Sequence, residues 1–216
     1  ERGPAGGLLL LDGCTANEVL RDAEGRACAV RATLRRGGGE LEVLVRGRAV
    51  VAAGGALQTP LLLRRSGLRN RHIGRHLSLH PAMTVFGRFE EKVDFIQGAP
   101  MTTCCRVVED QDGKGYGAKI WVPNFHPITW GALVPWQGAE QYKRAMAMYA
   151  HSAPLICLAR DHGEGRVWQG GDGHAHISYA FKAEDKAHLL RGVEHAVRIL
   201  VAAGAQEVHS SHAALE

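Results

Sequence analysis

The stretch from Arg48 to Leu68 constrains the fold more than any other part of the chain. Arg48-Ala49-Val50-Val51-Ala52-Ala53 is a nearly pure run of small apolar residues and reads as a strand inside a sheet. Gly54-Gly55 breaks that strand. Thr59 is placed as the N-cap of a helix with Pro60 at its first position, Leu61, Leu62 and Leu63 lead into it, and Ser66-Gly67 closes it. The unit is strand, tight turn, helix. A strand of small residues lets another backbone or a ligand come close, and glycine at the turn removes the Cβ that would block the approach. The helix then directs its free N–H groups and positive dipole end at the turn, an arrangement suited to an anion such as a diphosphate. The same arrangement also serves as a purely structural strand-to-helix turn.

On either side the pattern changes twice. Leu8 to Leu11 reads as a short buried strand ended by Asp12-Gly13, Thr15 to Leu20 and Ala27 to Leu34 as strands joined by a turn over Asp22 to Gly25, and Leu41 to Val45 as a further strand beyond the glycine hairpin of residues 35–39. After about residue 80, strands are expected over Thr84 to Phe89, Thr103 to Val108, Ala118 to Val122, Leu155 to Ala159 and His174 to Tyr179, the last after the turn Gly170-Gly171-Asp172-Gly173. Ala139 to Ala150 reads as a helix. Lys182 to Ala203 is the clearest helix: Leu189, Leu190, Val193, Val197, Leu200 and Val201 recur at three- and four-residue steps, and Gly204 ends it. A boundary falls near residues 80 to 90.

The composition excludes several classes. Hydrophobic residues make up 45% of the 216 and charged residues 22%, enough for a buried core in one large domain or parts of two. The formal charge of +4 is spread over both signs, so nucleic acid is not an expected partner. Arg64-Arg65, Arg69, Arg71 and Arg75 form the only local concentration, read as a solvated face sooner than as a phosphate or lipid surface. No run reaches the length of a membrane span. Five cysteines at irregular spacing argue against a disulfide framework or zinc site and fit a reducing compartment; Cys104-Cys105 read as half-buried thiols on a strand before a vicinal disulfide.

Other residues that invite chemical assignments lack a supporting context. His72, His76 and His80 stand four apart, but Gly74 and Pro81 spoil a helix there and no carboxylate completes a metal set. His174 and His176 share one face of a strand without partners, and His209 and His212 are expected at the surface. Ser152, Ser178 and Ser210 have no nucleophile elbow. There is no Gly-x-Gly-x-x-Gly. The loop-like start Glu1 to Gly7 and the end at Ala213 to Glu216 both look cut from something longer.

Gly55-Ala56-Leu57-Gln58-Thr59-Pro60-Leu61-Leu62-Leu63-Arg64-Arg65-Ser66-Gly67-Leu68 resembles the second signature of the glucose-methanol-choline (GMC) oxidoreductases, departing from it at Arg69, where the pattern has glycine. Ile73-Gly74-Arg75-His76-Leu77-Ser78-Leu79-His80-Pro81 resembles the family segment that follows. Trp130-Gly131-Ala132-Leu133 with Pro135-Trp136, Leu158-Ala159-Arg160-Asp161 with Gly163 and Gly165, and Arg198 to Ala205 resemble the long-chain fatty alcohol oxidases.

The resemblance implies a mixed α/β and α+β architecture. The later part of an FAD-binding-type domain, incomplete here, would occupy residues 1–84, and a substrate domain with a mostly antiparallel sheet packed by helices, incomplete at its C-terminus, residues 85–216. It implies FAD as cofactor, with Ala16 meeting the adenine through its backbone and the Ala53-Gly54 turn beside the ADP half. Taken without the resemblance, Ala16 is equally a plain strand residue. A long-chain primary alcohol would be the substrate: a base takes the hydroxyl proton, hydride passes to the flavin, and an aldehyde results. The glycine fingerprint lies before this segment in relatives and the catalytic histidine after it, so no catalytic residue is assigned and the segment alone is expected to be inactive. Trp121, Trp130 and Trp136 could line an alkyl channel or simply pack a core. The relatives imply an intracellular protein with membrane association through other segments. The alternative is a non-catalytic lipid-binding or interaction module that kept the substrate sheet.

Overall fold

The computed structural model describes residues 7–211. The loop expected at the start of the chain, up to residue 6, and the surface position expected for His212 lie outside the described residues. In chain order the elements are β1 (Cys14–Arg21), β2 (Ala27–Arg36), β3 (Gly39–Arg46), α1 (Gly55–Arg65), β4 (Arg75–Leu77), β5 (Ala82–Arg88), β6 (Cys104–Cys105), β7 (Ala118–Trp121), α2 (Pro127–Leu133), α3 (Ala139–Ala147), β8 (Ser152–Ala159), β9 (Gly165–Gln169), β10 (Ala175–Ser178), α4 (Ala183–Ala202) and β11 (Glu207–Ser210). They form two compact units, one of the residues up to Leu77 with Glu164–Ala180, the other of Ser78–Gly163 with the residues from Phe181 onward. Among the described residues, three antiparallel sheets and four α-helices give an α+β arrangement. Among the described residues no helix is long and apolar enough to cross a membrane.

In the first unit, β1, β2 and β3 form an antiparallel meander. The first turn is held by Asp22, whose carboxylate accepts the Arg26 amide at 2.8 Å. The second is a two-residue loop with Gly37 and Gly38 both at positive φ, the conformation that matches the twist of a hairpin. A second sheet has the order β10-β9-β4, and Leu61 of α1 is buried with Leu77 and Val167 in the small core beside it.

Three expectations fail here. Residues 48–53 form no strand, and Val51 is 88% exposed. A strand exists only where neighbours complete its ladder, and no described residue pairs with this run. Leu8, Leu9 and Leu10 are likewise more than half exposed, with a single bridge at Leu9 in place of a strand. Helix α1 starts a turn earlier than Thr59: Gly54 is its N-cap, and Pro60 lies inside, where it leaves the Ala56 carbonyl without its usual helical donor. The expected end is found. The Gly67 and Leu68 amides bond the Arg64 and Leu63 carbonyls, both at 3.1 Å, with Gly67 at φ 76; this is a Schellman closure, which needs a residue free to enter the left-handed region.

The second unit is built on a five-stranded antiparallel sheet of order β11-β5-β8-β7-β6. Alternate residues of these strands, Val85, Ile120, Leu155, Cys157 and Ala159, pack with Leu189, Ala196 and Leu200 of α4. Each large side chain so buried contributes about 1.5–3 kcal/mol. The buried stripe of α4 runs Asp185, Leu189, Gly192, Ala196, Leu200, whereas Leu190 and Val201 are exposed. The seam therefore uses small residues where larger apolar ones were expected: a Cβ on Gly192 would stand 2.8 Å from the Ala118 Cβ and 3.4 Å from that of Cys157. Trp130 is buried against Phe86, Phe95 and Tyr149, with ring centroids 4.4, 5.7 and 5.4 Å away, while Trp136 is exposed.

Candidate functional site

The opening of α1 is exposed and uncapped. Ala53, Gly54, Gly55 and Ala56 are all exposed, no side chain caps the helix, and no acidic residue occupies its first turn. The amides of the first turn therefore have no intrahelical or side-chain acceptor, and the positive end of the helix dipole is uncompensated. Gly55 enters the helix at φ 72. Gly54 sits tight on the turn that follows: a Cβ there would lie 3.2 Å from the Gln58 Cβ and 3.3 Å from the Thr59 amide nitrogen. Such an opening can donate hydrogen bonds to an anionic oxygen without competition from the protein. The chemistry of this donor set fits a dinucleotide diphosphate.

The other end of α1 is fastened to β1. The Ser66 hydroxyl accepts the Val19 amide at 2.8 Å and donates to the Leu62 carbonyl at 2.7 Å. Arg65 donates to the carbonyls of Asn17 at 3.0 Å and Ala16 at 3.4 Å. The register of β1 against β2 shifts between Ala16 and Glu18, and Asn17 at the shift donates its side-chain amide to Thr33 Oγ1 at 2.8 Å. The structure thus brings Ala53 and Gly54 together at the start of α1 and places Ala16 beside its final turn, an axial separation of about 16 Å at ~1.5 Å per residue. Ser66 and Arg65 belong to the signature stretch, but their attachment to β1 joins residues almost fifty positions apart, and no local spacing announces it.

The remaining candidates are placed as follows. His72 Nδ1 and His76 Nε2 lie 2.9 Å apart, and Arg71 Nε donates to His72 Nε2 at 3.1 Å. His176 is bonded to Asp172 at 3.1 Å. Cys104 and Cys105 are half-buried free thiols on β6. In the second unit His162 Nδ1 and the buried Asp185 carboxylate are 2.7 Å apart, the Tyr116 ring stacks on His162 at 3.6 Å, and the Arg160 guanidinium lies over Tyr116 at 4.5 Å. This cluster joins the Arg160-Asp161 segment to the first turn of α4, a structural contact that the sequence pattern did not reveal.

Residues 4–82 match the sequence profile of the GMC oxidoreductases. Two long-chain-alcohol oxidases of Arabidopsis thaliana are 35% and 33% identical, each over 94% of this chain. A GMC-type oxidoreductase of Sinorhizobium fredii is 39% identical over 50% of it. The chain spans 29% of the length of the first of these relatives, 28% of the second and 21% of the third. The matched residues contain β1, the opening of α1, and Ser66 with its bond to Val19. The chain belongs to the GMC oxidoreductase family.

Proposed function

We propose that the whole protein carrying this chain is an FAD-dependent oxidoreductase that oxidises long-chain primary alcohols to aldehydes. The observation that carries this reading is the exposed, uncapped opening of α1 at Ala53-Gly54-Gly55, inside the residues that match the family. In this reading the first-turn amides face the ADP half of FAD, the Ala16 backbone faces the adenine, residues 1–84 belong to the flavin-binding part and residues 85–216 to the substrate-binding part. FAD, when bound, supplies the two-electron redox chemistry; the chain supplies position and a compensating dipole. The alcohol substrate rests on the names of the Arabidopsis relatives.

The test uses the whole protein. Purified material should show flavin absorbance, lose it on anaerobic addition of a long-chain alcohol, and form the aldehyde together with peroxide in air. A folded protein that purifies without flavin, binds none when FAD is added and leaves the alcohol unchanged would contradict the proposal and favour a non-catalytic module.

A further inference from the structure

The first unit contains a cleft of about 670 Å³ between α1, the segment before β4, and β9 and β10. Arg64, Arg75 and Arg166 line it, with Trp168 and Ser178. No Asp or Glu contributes to the lining, and none of the three arginines makes an ion pair among the described residues. Other arginines do: Arg31 with Glu18 at 2.7 Å, Arg35 with Glu40 at 2.7 Å and Arg88 with Glu207 at 2.7 Å. The imbalance is written into the chain, since residues 43–89 contain eight arginines and not one Asp, Glu or Lys.

The fold holds two of these cations opposite each other. Arg75 and Arg166 are cross-strand partners in β4 and β9, and Ser178 is the partner of Arg166 on the other side in β10. The pairing is pinned beside Arg75, where the Val167 amide bonds the Gly74 carbonyl at 2.7 Å. Gly74 holds φ 76, and a Cβ there would overlap the Val167 carbonyl. Directly opposed residues stand about 5 Å apart, and like charges so placed are destabilising. A bound anion would turn that repulsion into attraction.

We propose that this cleft binds a phosphate group, as a monoester or diester, carried by an anionic phospholipid headgroup or by a soluble phosphate compound. Guanidinium forks match phosphate oxygens in pairs, and three arginines suit a group with several acceptors. The cleft is larger than a lone phosphate, and the Trp168 ring, 45% exposed, gives the attached organic part a flat apolar surface. The site is distinct from the proposed flavin contact: Arg64 lies about 13 Å along α1 from Gly55, at ~1.5 Å per residue.

The test compares the whole protein with its Arg75→Gln/Arg166→Gln double variant and with Arg48→Gln, a basic residue outside the cleft. Glycerol 3-phosphate is titrated calorimetrically, and co-sedimentation is measured with phosphatidylcholine vesicles with and without phosphatidic acid. The wild type should bind at least one phosphate probe, the double variant about tenfold more weakly or worse, and Arg48→Gln as the wild type does. Binding of glycerol 3-phosphate identifies a soluble ligand; binding of phosphatidic acid vesicles alone identifies a headgroup. Flavin absorbance should be the same in all three proteins, which separates this site from the flavin reading. If the double variant fails to fold, Arg64→Gln carries the same comparison. Binding of neither probe, undiminished binding by the cleft variant, or equal loss in Arg48→Gln would overturn the proposal.

Discussion

The hydroxyl of Ser66 accepts the backbone amide of Val19 at 2.8 Å, and with this one bond the end of α1 is fixed to the middle of β1. The same hydroxyl donates to the Leu62 carbonyl at 2.7 Å, so both its hydrogen-bonding roles are used, and Ser66 is only 6% exposed. Ser66→Ala should leave the Val19 amide without its partner and destabilise the protein by about 1–2 kcal/mol. Urea unfolding followed by circular dichroism measures the loss. A variant with the wild-type midpoint would show that the contact does not hold α1 in place.

Gly74→Ala should be more damaging. The position requires φ 76, and the added methyl would meet the Val167 carbonyl oxygen, whose strand carries the small core of Leu61, Leu77 and Val167. Relief would need β4 to separate from β9, at roughly 2 kcal/mol or more. The same denaturation experiment would register this as a lowered midpoint, and a neutral result would contradict the close approach.

Gly192→Ala sets two effects against each other. Alanine in a helix interior is favoured over glycine by about 1 kcal/mol. Its methyl, however, would stand 2.8 Å from the Ala118 Cβ in a packed seam, and overpacking costs about 1–3 kcal/mol. The packing cost should win, so the variant should unfold at lower temperature than the wild type. A raised melting temperature would mean that α4 moves off the sheet without cost.

Burial pushes the Cys157 thiol from its ordinary value of 9.0 up to about 12. Only the thiolate reacts with alkylating reagents, so Cys157 should stay unmodified in the native protein at pH 8 while the half-buried Cys104 and Cys105 react. Peptide mass spectrometry after iodoacetamide treatment decides the order, and early labelling of Cys157 would refute it. The folded state holds this proton more tightly than the unfolded state. The associated stability is therefore complete below pH 9 and is lost as pH rises from there towards 12.

Local pattern made the hairpins of residues 14–46 and the whole of α4 legible, because turn glycines, the apolar repeat and the terminal Gly204 are all near neighbours in sequence. The buried stripe of α4 is less legible: large apolar residues mark only part of it, and Gly192 and Ala196, which permit the closest packing, carry no such signal. The run Arg48 to Ala53 has a strand's composition, but composition cannot supply neighbouring strands. Helix α2 and strands β4, β9 and β11 are short, and β4 finds its partner through Arg75 and Arg166, ninety-one residues apart, where no local periodicity operates. The site shows the same division. The glycines at the opening of α1 could be named from sequence, whereas the Ser66 bond and the opposed arginines emerge only from tertiary pairing.

The most direct measurement is FAD affinity of the whole protein after removal of bound flavin, compared between wild type and Gly54→Asp. The carboxylate suits the helix dipole, while the added Cβ stands 3.2 Å from the Gln58 Cβ and has a packing cost, so circular dichroism establishes that the variant is folded before affinities are compared. The same negative charge would face the diphosphate across the amides proposed to hold it. The expected result is a dissociation constant raised about tenfold or more with the fold intact. An unchanged affinity in a folded variant would contradict the assignment of this helix opening to the cofactor.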